Sequence, residues 1–148
     1  QAEFFTPIGR EEKQVPKEEK PRQESYTRSG LNEEQGKELH QQLCALMDKD
    51  KPYLRNDLSL AELAGLMNIS THNLTEVINT FADASFYDFV NSYRVENVKQ
   101  AIKDPEFQNY TLLGIGLESG FNSKSSFNSV FKKHTGLTPS QYKKSFEG

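Results

Sequence analysis

Two segments of the chain repeat one pattern: SLAELAGLMNISTHNLTEVIN at residues 59–79 and TLLGIGLESGFNSKSSFNSVF at residues 111–131. Their apolar and small residues correspond, with one extra residue in the second copy: Leu60 with Leu112, Leu63 with Ile115, Ala64 with Gly116, Ile69 with Phe121, Leu74 with Phe127, Val77 with Val130 and Ile78 with Phe131. Each copy predicts a short helix, a turn of about four residues and a second helix. In a helix-turn-helix, that second helix enters the DNA major groove. The repetition makes an ordinary helical hairpin the weaker interpretation.

Helical periodicity continues from Leu31 to the end of the chain, and no segment alternates as a strand would. Residues with capping side chains precede the predicted helices: Asn32, Ser59, Ser70, Ser85, Thr111, Asn122 or Ser123, and Thr138. Asp104 and Pro105 end the long helix that joins the two copies. The predicted fold class is all-α, with about seven helices forming two helix-turn-helix subdomains joined by a long linker helix.

The composition divides the chain into four parts: a flexible charged linker at 1–30, an amphipathic N-terminal helix at 31–50, a first helix-turn-helix subdomain with the linker helix at 51–106, and a second subdomain at 107–148. The first part is rich in Glu, Lys, Gln, Arg and Pro and has few apolar residues, so we expect it to be disordered. A docking peptide anchored by Phe4, Phe5 and Ile8 is the alternative. The apolar stripe of the N-terminal helix either caps the domain's own core or pairs with a second copy.

The net charge of −3 conceals an uneven distribution. Residues 107–148 carry 5 basic and 2 acidic side chains, whereas residues 1–50 carry 8 and 11. A basic C-terminal part is typical of a surface that meets nucleic acid. The single cysteine, Cys44, excludes an internal disulfide, and no metal or cofactor motif is present.

Helical angles predict which side chains of the two second helices face away from the core. In the first copy these are His72, Glu76 and Asn79, with Thr75 beside them. In the second they are Ser125, Ser129 and Lys132, with Asn128 beside them and Lys124 at the leading edge. Short polar and cationic groups suit base edges and phosphates, although any solvated helix face has a similar composition. Ser70 and Ser123 begin these helices, where free N–H groups can hold phosphates.

Glu76 is the exception in this set, because a carboxylate repels phosphate. It could accept a hydrogen bond from cytosine N4, or orient His72 or a neighbouring Asn. We therefore expect the first copy to add less non-specific affinity than the second, which has Lys124, Lys132, Lys133, Lys143 and Lys144.

The run IGLESGFNSKSSFNSVFKKHTGLTPSQYKK at residues 115–144 resembles the signature of the AraC/XylS family of bacterial transcription regulators, and the resemblance extends over about residues 50–146. It implies a DNA-binding domain whose two recognition helices enter successive major grooves, bridged by the helix that holds Arg94. Gly116 and Lys143 depart from the Ala and Arg usual at their positions.

The resemblance also implies roles for individual residues. Base reading falls on His72, Thr75, Glu76, Lys124, Ser125 and Ser129. Phosphate binding falls on Asn79, Ser126, Asn128 and Lys132, to which the helix starts and the basic run add Ser70, Ser123 and Lys133.

The partner implied is double-stranded DNA, with RNA polymerase as a further candidate and a homodimer of the parent protein as another. Because the sequence begins at Gln1, we expect an upstream sensory region that is missing from this fragment, and a cytoplasmic location with or without a membrane tether through that region. Catalysis is not expected, since the candidates His40, His72, His134 and Cys44 lie on different helices without a nucleophile turn or phosphate loop.

Overall fold

A computed structural model describes residues 31–147, and within this range the chain is helical without any strand. The seven α-helices are α1 (Glu33–Asp50), α2 (Leu60–Met67), α3 (Thr71–Val77), α4 (Phe86–Lys103), α5 (Leu112–Glu118), α6 (Lys124–Thr135) and α7 (Pro139–Glu147). A π-helical turn, Ile78–Ala82, continues α3 directly, and 3₁₀ turns lie at Pro52–Leu54 and Pro105–Phe107. The predicted all-α class is confirmed. The charged segment at 1–30, with its proposed anchors, lies outside the described residues.

Local sequence explains where these helices begin. Asn32 and Gln35 form a reciprocal capping box at α1, and Ser59 and Glu62 form another at α2. Thr138 exchanges the same pair of hydrogen bonds with Gln141 at the start of α7. The other N-caps are Ser70, Ser85, Thr111 and Ser123. Ser123 rather than Asn122 caps α6, so the alternative left open by the sequence is resolved.

The buried side chains form two clusters, one for each copy of the repeat. The first contains Leu43, Met47, Tyr53, Leu58, Leu63, Ala64, Leu74, Val77, Ile78, Phe89 and Val90. The second contains Val95, Val98, Ala101, Ile115, Phe121, Phe127 and Phe131. Helix α4 therefore contributes to both cores, and the division between them falls between Val90 and Val95. The boundary between the two subdomains that the sequence analysis places after residue 106 stays a prediction.

Helix α1 caps the first core. Leu43 and Met47 have no exposed surface, and the ring of His40 stacks on Phe81 with centroids 5.5 Å apart. The helix contacts both α3 and the π-helical turn that follows it. Of the two uses considered for the apolar stripe, capping of the domain's own core is confirmed.

None of the described helices is both long enough and apolar enough to cross a bilayer.

Candidate nucleic-acid interface

The structure contains both predicted helix-turn-helix units, α2 with α3 and α5 with α6. The first turn passes through Asn68 at φ 60°, and the second through Gly120 at φ 109°. Both residues adopt the left-handed conformation that lets the chain reverse within a few residues. Ala64 and Gly116 are both buried, and a β-carbon on Gly116 would meet the ring of Phe127 on α6. Both small residues paired in the sequence therefore lie at covered positions.

Helix α6 exposes the face that the sequence predicts. Phe127 and Phe131 are buried, and Lys124, Ser125 and Ser129 are exposed. The hydroxyl of Ser129 donates to the carbonyl oxygen of Ser126 at 3.3 Å, and its oxygen can still accept a hydrogen bond. The three predicted base-reading groups of this helix share one accessible surface, and their role in reading bases stays a prediction.

Helix α3 differs from the expectation in one of its three predicted base-reading positions. His72 is exposed and Thr75 is half-buried, but Glu76 is only 7% exposed. The prediction that Glu76 faces solvent is wrong. Helix α3 packs against both α1 and α2, so its accessible strip is narrower than a helix with one buried face would have. Because most of its surface is covered, Glu76 is poorly placed to meet a base edge.

The structure assigns cap roles to the two serines that were predicted to bind phosphate at helix starts. The hydroxyl oxygen of Ser70 accepts a hydrogen bond from the backbone N–H of Asn73 at 3.0 Å, and that of Ser123 accepts one from Ser126 at 3.0 Å. The other phosphate candidates in these elements, Asn79, Ser126 and Asn128, are half-buried. Asn79 lies within the π-helical turn, where the angles of an α-helix no longer hold. Phosphate binding by this set stays a prediction.

Two adjacent lysines near the end of α6 have different surroundings. Both Lys132 and Lys133 are exposed. The ammonium of Lys133 lies 3.3 Å from the carboxylate of Asp88, which is at the start of α4. Exposed ion pairs of this kind are weak and screened by salt. Asp88 nevertheless competes with phosphate for Lys133, whereas Lys132 has no ion pair within the described residues.

A cleft of about 670 Å³ separates the two subdomains. Its lining includes Ser59, Ser85, Asn122 and Ser126, which lie at the starts of three helices. Arg94 and Gly120 also line it. The cleft therefore lies beside the first turn of α6, between the two units that carry the candidate reading surfaces.

Arg94 is named in the sequence analysis only as part of the bridging helix, and its structural role is not predicted there. It is 7% exposed, and its guanidinium donates to the carbonyl oxygens of Tyr53 and Arg55 at 2.8 Å each. Burial lowers the pKa of Arg94 from its usual value. The available signal was its position four residues after Val90, on the buried face of α4. A charged residue at such a position indicates a specific partner.

The structure also corrects one statement about the catalytic candidates. His40 and Cys44 lie one turn apart on the same helix, α1, with Nε2 and Sγ 3.5 Å apart. His72 and His134 lie on α3 and α6. Within residues 31–147, no group of three or more His, Cys, Asp or Glu side chains is placed to hold a metal ion.

The geometry is that of a DNA-binding domain with two helix-turn-helix units. Residues 63–145 match the sequence model of a family described as a helix-turn-helix domain. The structure of an AraC-type transcriptional regulator from Chromobacterium violaceum is similar to this fold, with a TM-score of 0.62 at 18% identity, over 73% of this chain and 91% of that one. The C-terminal domain of the two-component response regulator yesN from Fusobacterium nucleatum has a TM-score of 0.57 at 23% identity, over 70% and 95%.

A relative in Staphylococcus aureus, an HTH-type transcriptional regulator, is 33% identical over 91 residues. The match covers 62% of this chain but only 12% of that protein. The chain thus spans a small part of the length of the curated relatives it matches. It belongs to the AraC-type helix-turn-helix family of DNA-binding transcriptional regulators.

Proposed function

We propose that this chain is the DNA-reading output domain of a larger bacterial sensor-regulator. It inserts α3 and α6 into successive major grooves on one side of the duplex. The observation that carries the proposal is the pair of helix-turn-helix units built on one continuous helix, α4, of 18 residues. Such a helix is about 27 Å long, which is comparable with the ~34 Å between successive major grooves.

Charge and exposure favour α6 as the main reading element. Lys124, Ser125 and Ser129 are accessible together, and five lysines lie in residues 107–148. On α3, His72 is the exposed member of the predicted set, while Glu76 is covered. We therefore assign base selection to both helices but most of the phosphate attraction to the second.

In-vitro selection of duplex DNA from a random pool, with the 148-residue chain as bait, tests the proposal. The expected product is a motif with two half-sites about one helical turn apart. Lys124→Ala and Ser129→Ala should change the selected sequence of one half-site, and Lys132→Ala should weaken all sequences alike. Absence of DNA binding at low salt would contradict the proposed function.

A sensory region upstream of this domain is part of the proposal. It is supported by the S. aureus relative, whose matching segment is 12% of its length. A dimer of the parent protein, contact with RNA polymerase and a cytoplasmic location are further proposals that follow from regulation of transcription. Analytical ultracentrifugation and pull-down of polymerase with the parent protein would test the first two, and fractionation of cells would test the third.

Catalysis is the competing class of function, and we propose that the domain has none. His40 and Cys44 are close enough for a thiol and imidazole pair, but they belong to a helix that caps the first core. A turnover that disappears in Cys44→Ser would contradict this proposal.

A further inference from the structure

Arg94 lies where the two cores meet. Val90, one turn before it on α4, belongs to the first cluster, and Val95, directly after it, belongs to the second. Its side chain is 7% exposed, although arginine is seldom buried without partners. Removing a guanidinium from water is unfavourable unless its N–H groups are satisfied. The partners of Arg94 therefore show what the burial accomplishes.

Those partners belong to the turn that leads from α1 into α2. Nε of Arg94 donates to the carbonyl oxygen of Tyr53 and Nη2 to that of Arg55, both at 2.8 Å. Nη1 donates to Oδ1 of Asn91 on α4 itself, at 3.2 Å. A guanidinium is planar and rigid, so two bonds from one edge fix direction as well as distance. The leading turn of the first subdomain is thereby oriented on the linker helix.

A residue of the second subdomain, Gly120, approaches the same edge of the guanidinium. A β-carbon at Gly120 would lie 2.6 Å from Nε of Arg94 and would collide with the carbonyl oxygen of Tyr53. Gly120 is in the turn between α5 and α6, three residues before Ser123, the N-cap of the reading helix of that unit. One turn further along α4, Nδ2 of Asn97 donates to Oγ of Ser119 at 2.9 Å. The turn that leads into α2 and the turn between α5 and α6 therefore rest against one short stretch of α4.

We propose that Arg94 is the positioning residue that sets the distance and angle between α3 and α6, and thereby the spacing of the two DNA half-sites that the protein accepts. The inference rests on the proposed function for its consequence on DNA. Its structural part stands on Arg94 and Gly120, which line the cleft between the subdomains, and on the carbonyl of Tyr53, which lies close to both. With the guanidinium absent, that cleft can open and the two reading helices can change their relative positions.

The structural part is tested by pulsed electron–electron double resonance, which measures the distance between two spin labels. The labels are attached at His72→Cys and Ser125→Cys in a Cys44→Ser background. Both label sites are exposed and lie on α3 and α6. Arg94→Lys should broaden the distance distribution, because a single ammonium cannot reproduce the two-bond fork. Arg94→Met should broaden it further. Arg55→Met is the matched control, because it also removes one guanidinium but keeps the carbonyl that Arg94 uses.

The consequence for DNA is tested with the selected two-half-site duplex and versions lengthened or shortened by one base pair. Each base pair moves one half-site by about 3.4 Å and rotates it by about 35°. We expect the unsubstituted chain and Arg55→Met to prefer the selected spacing by about tenfold, and Arg94→Lys and Arg94→Met by less than about threefold. The affinity of the Arg94 variants for an isolated second half-site should stay within about twofold of that of the unsubstituted chain. A general loss of folded protein would lower this affinity as well.

These measurements separate the two claims. If the unsubstituted chain binds no DNA, the proposed function fails while the distance distributions still test Arg94. If it binds DNA but the Arg94 variants keep both the narrow distribution and the spacing preference, the positioning role is wrong. Should Arg94→Met fail to fold, as judged by near-ultraviolet circular dichroism, Arg94→Lys supplies the same two readouts.

Discussion

The ring of Phe127 occupies the space that a β-carbon on Gly116 would need. A β-carbon built on Gly116 would lie 2.6 Å from Cδ2 of Phe127. The residues that correspond to this pair in the first unit, Ala64 and Leu74, are both buried in the first core. In each unit, a small residue on the first helix thus accompanies a large one on the second, as expected of closely packed helices.

Gly116→Ala should destabilise the domain by about 1 to 3 kcal/mol, because a ring in a packed core has little room to shift. In a Phe127→Leu background the same substitution should cost much less. Urea unfolding of the four proteins in this double-mutant cycle gives the interaction energy directly. Gly65→Ala is the control: beyond the adjacent backbone of α2 itself, a β-carbon there would meet nothing within 4 Å, so it should stabilise α2 by about 0.5 to 1 kcal/mol. Equal effects in both backgrounds would show that the ring does not set the constraint.

Ser123 allows capping to be separated from phosphate binding. Ser123→Ala removes the bond to the N–H of Ser126 and should lower stability by about 1 kcal/mol. Ser123→Asp keeps a capping oxygen, so stability should stay within a few tenths of a kcal/mol, while the added negative charge weakens DNA binding most at low salt. Thr111→Asp, which places the same charge at the cap of α5, should leave DNA affinity nearly unchanged. If both aspartates weaken binding equally, Ser123 has no special position at the interface.

Glu76 should behave as a packing residue. Glu76→Ala removes a side chain that is mostly covered, so it should lower stability by about 1 kcal/mol or more without changing the selected DNA sequence. His72→Ala is the exposed counterpart on α3, and it should change the selected DNA sequence without lowering stability. Parallel thermal unfolding and DNA selection on the two variants provide the comparison. If the isosteric Glu76→Gln variant stays folded but selects a different DNA sequence, the carboxylate reads bases and the packing role is wrong.

The two adjacent lysines of α6 should differ in their effect on DNA. Lys132→Ala should weaken binding for every sequence and reduce the salt slope by about one. Lys133→Ala should have a smaller effect, because its ammonium lies against Asp88. Asp88→Asn releases that ammonium and should strengthen binding at low salt. Fluorescence anisotropy over a range of salt concentrations measures all three slopes, and equal slopes for the two lysine variants would contradict the difference in surroundings.

Acid should weaken the start of α2. A hydrogen bond from Arg55 and one from the backbone of Ser59 lower the pKa of Glu62 below its ordinary 4.5. A carboxyl group whose pKa is lower in the folded state stabilises that state above its unfolded pKa, and this stabilisation is lost as pH falls through the folded value. Glu62→Gln keeps a capping amide but lacks this contribution. Urea midpoints of the two proteins should therefore differ at neutral pH and converge as the pH falls below the folded-state pKa of Glu62. A difference that stays constant would exclude the carboxylate as the cause.

Features decided by neighbours in the sequence were predictable. The caps at Ser59, Ser85 and Thr111 are governed by residues three positions away, and the structure confirms each of them. The stripe of α6 was correct for the same reason, because one side of this helix packs and the other is accessible.

The errors arose where distant segments decide the environment. The helical angle of Glu76 points away from Leu74, yet the side chain is buried in a helix that packs against both α1 and α2. The π-helical turn after Val77 shifts every later side chain, including Asn79, and no local signal marks it. Arg94 bonds to carbonyls 39 and 41 positions earlier, a relationship that helical periodicity does not contain.

The acceptors of Arg94 at Tyr53 and Arg55 are main-chain oxygens, and this affects how the junction can evolve. Any residue at either position supplies the same oxygen, so neither has to change in step with Arg94. Position 120 has no room for a side chain, so it requires glycine and no change elsewhere could compensate for a larger residue there. Among relatives, correlated substitution would therefore not reveal this contact, and sequence comparison would record it only as an arginine and a glycine that do not vary.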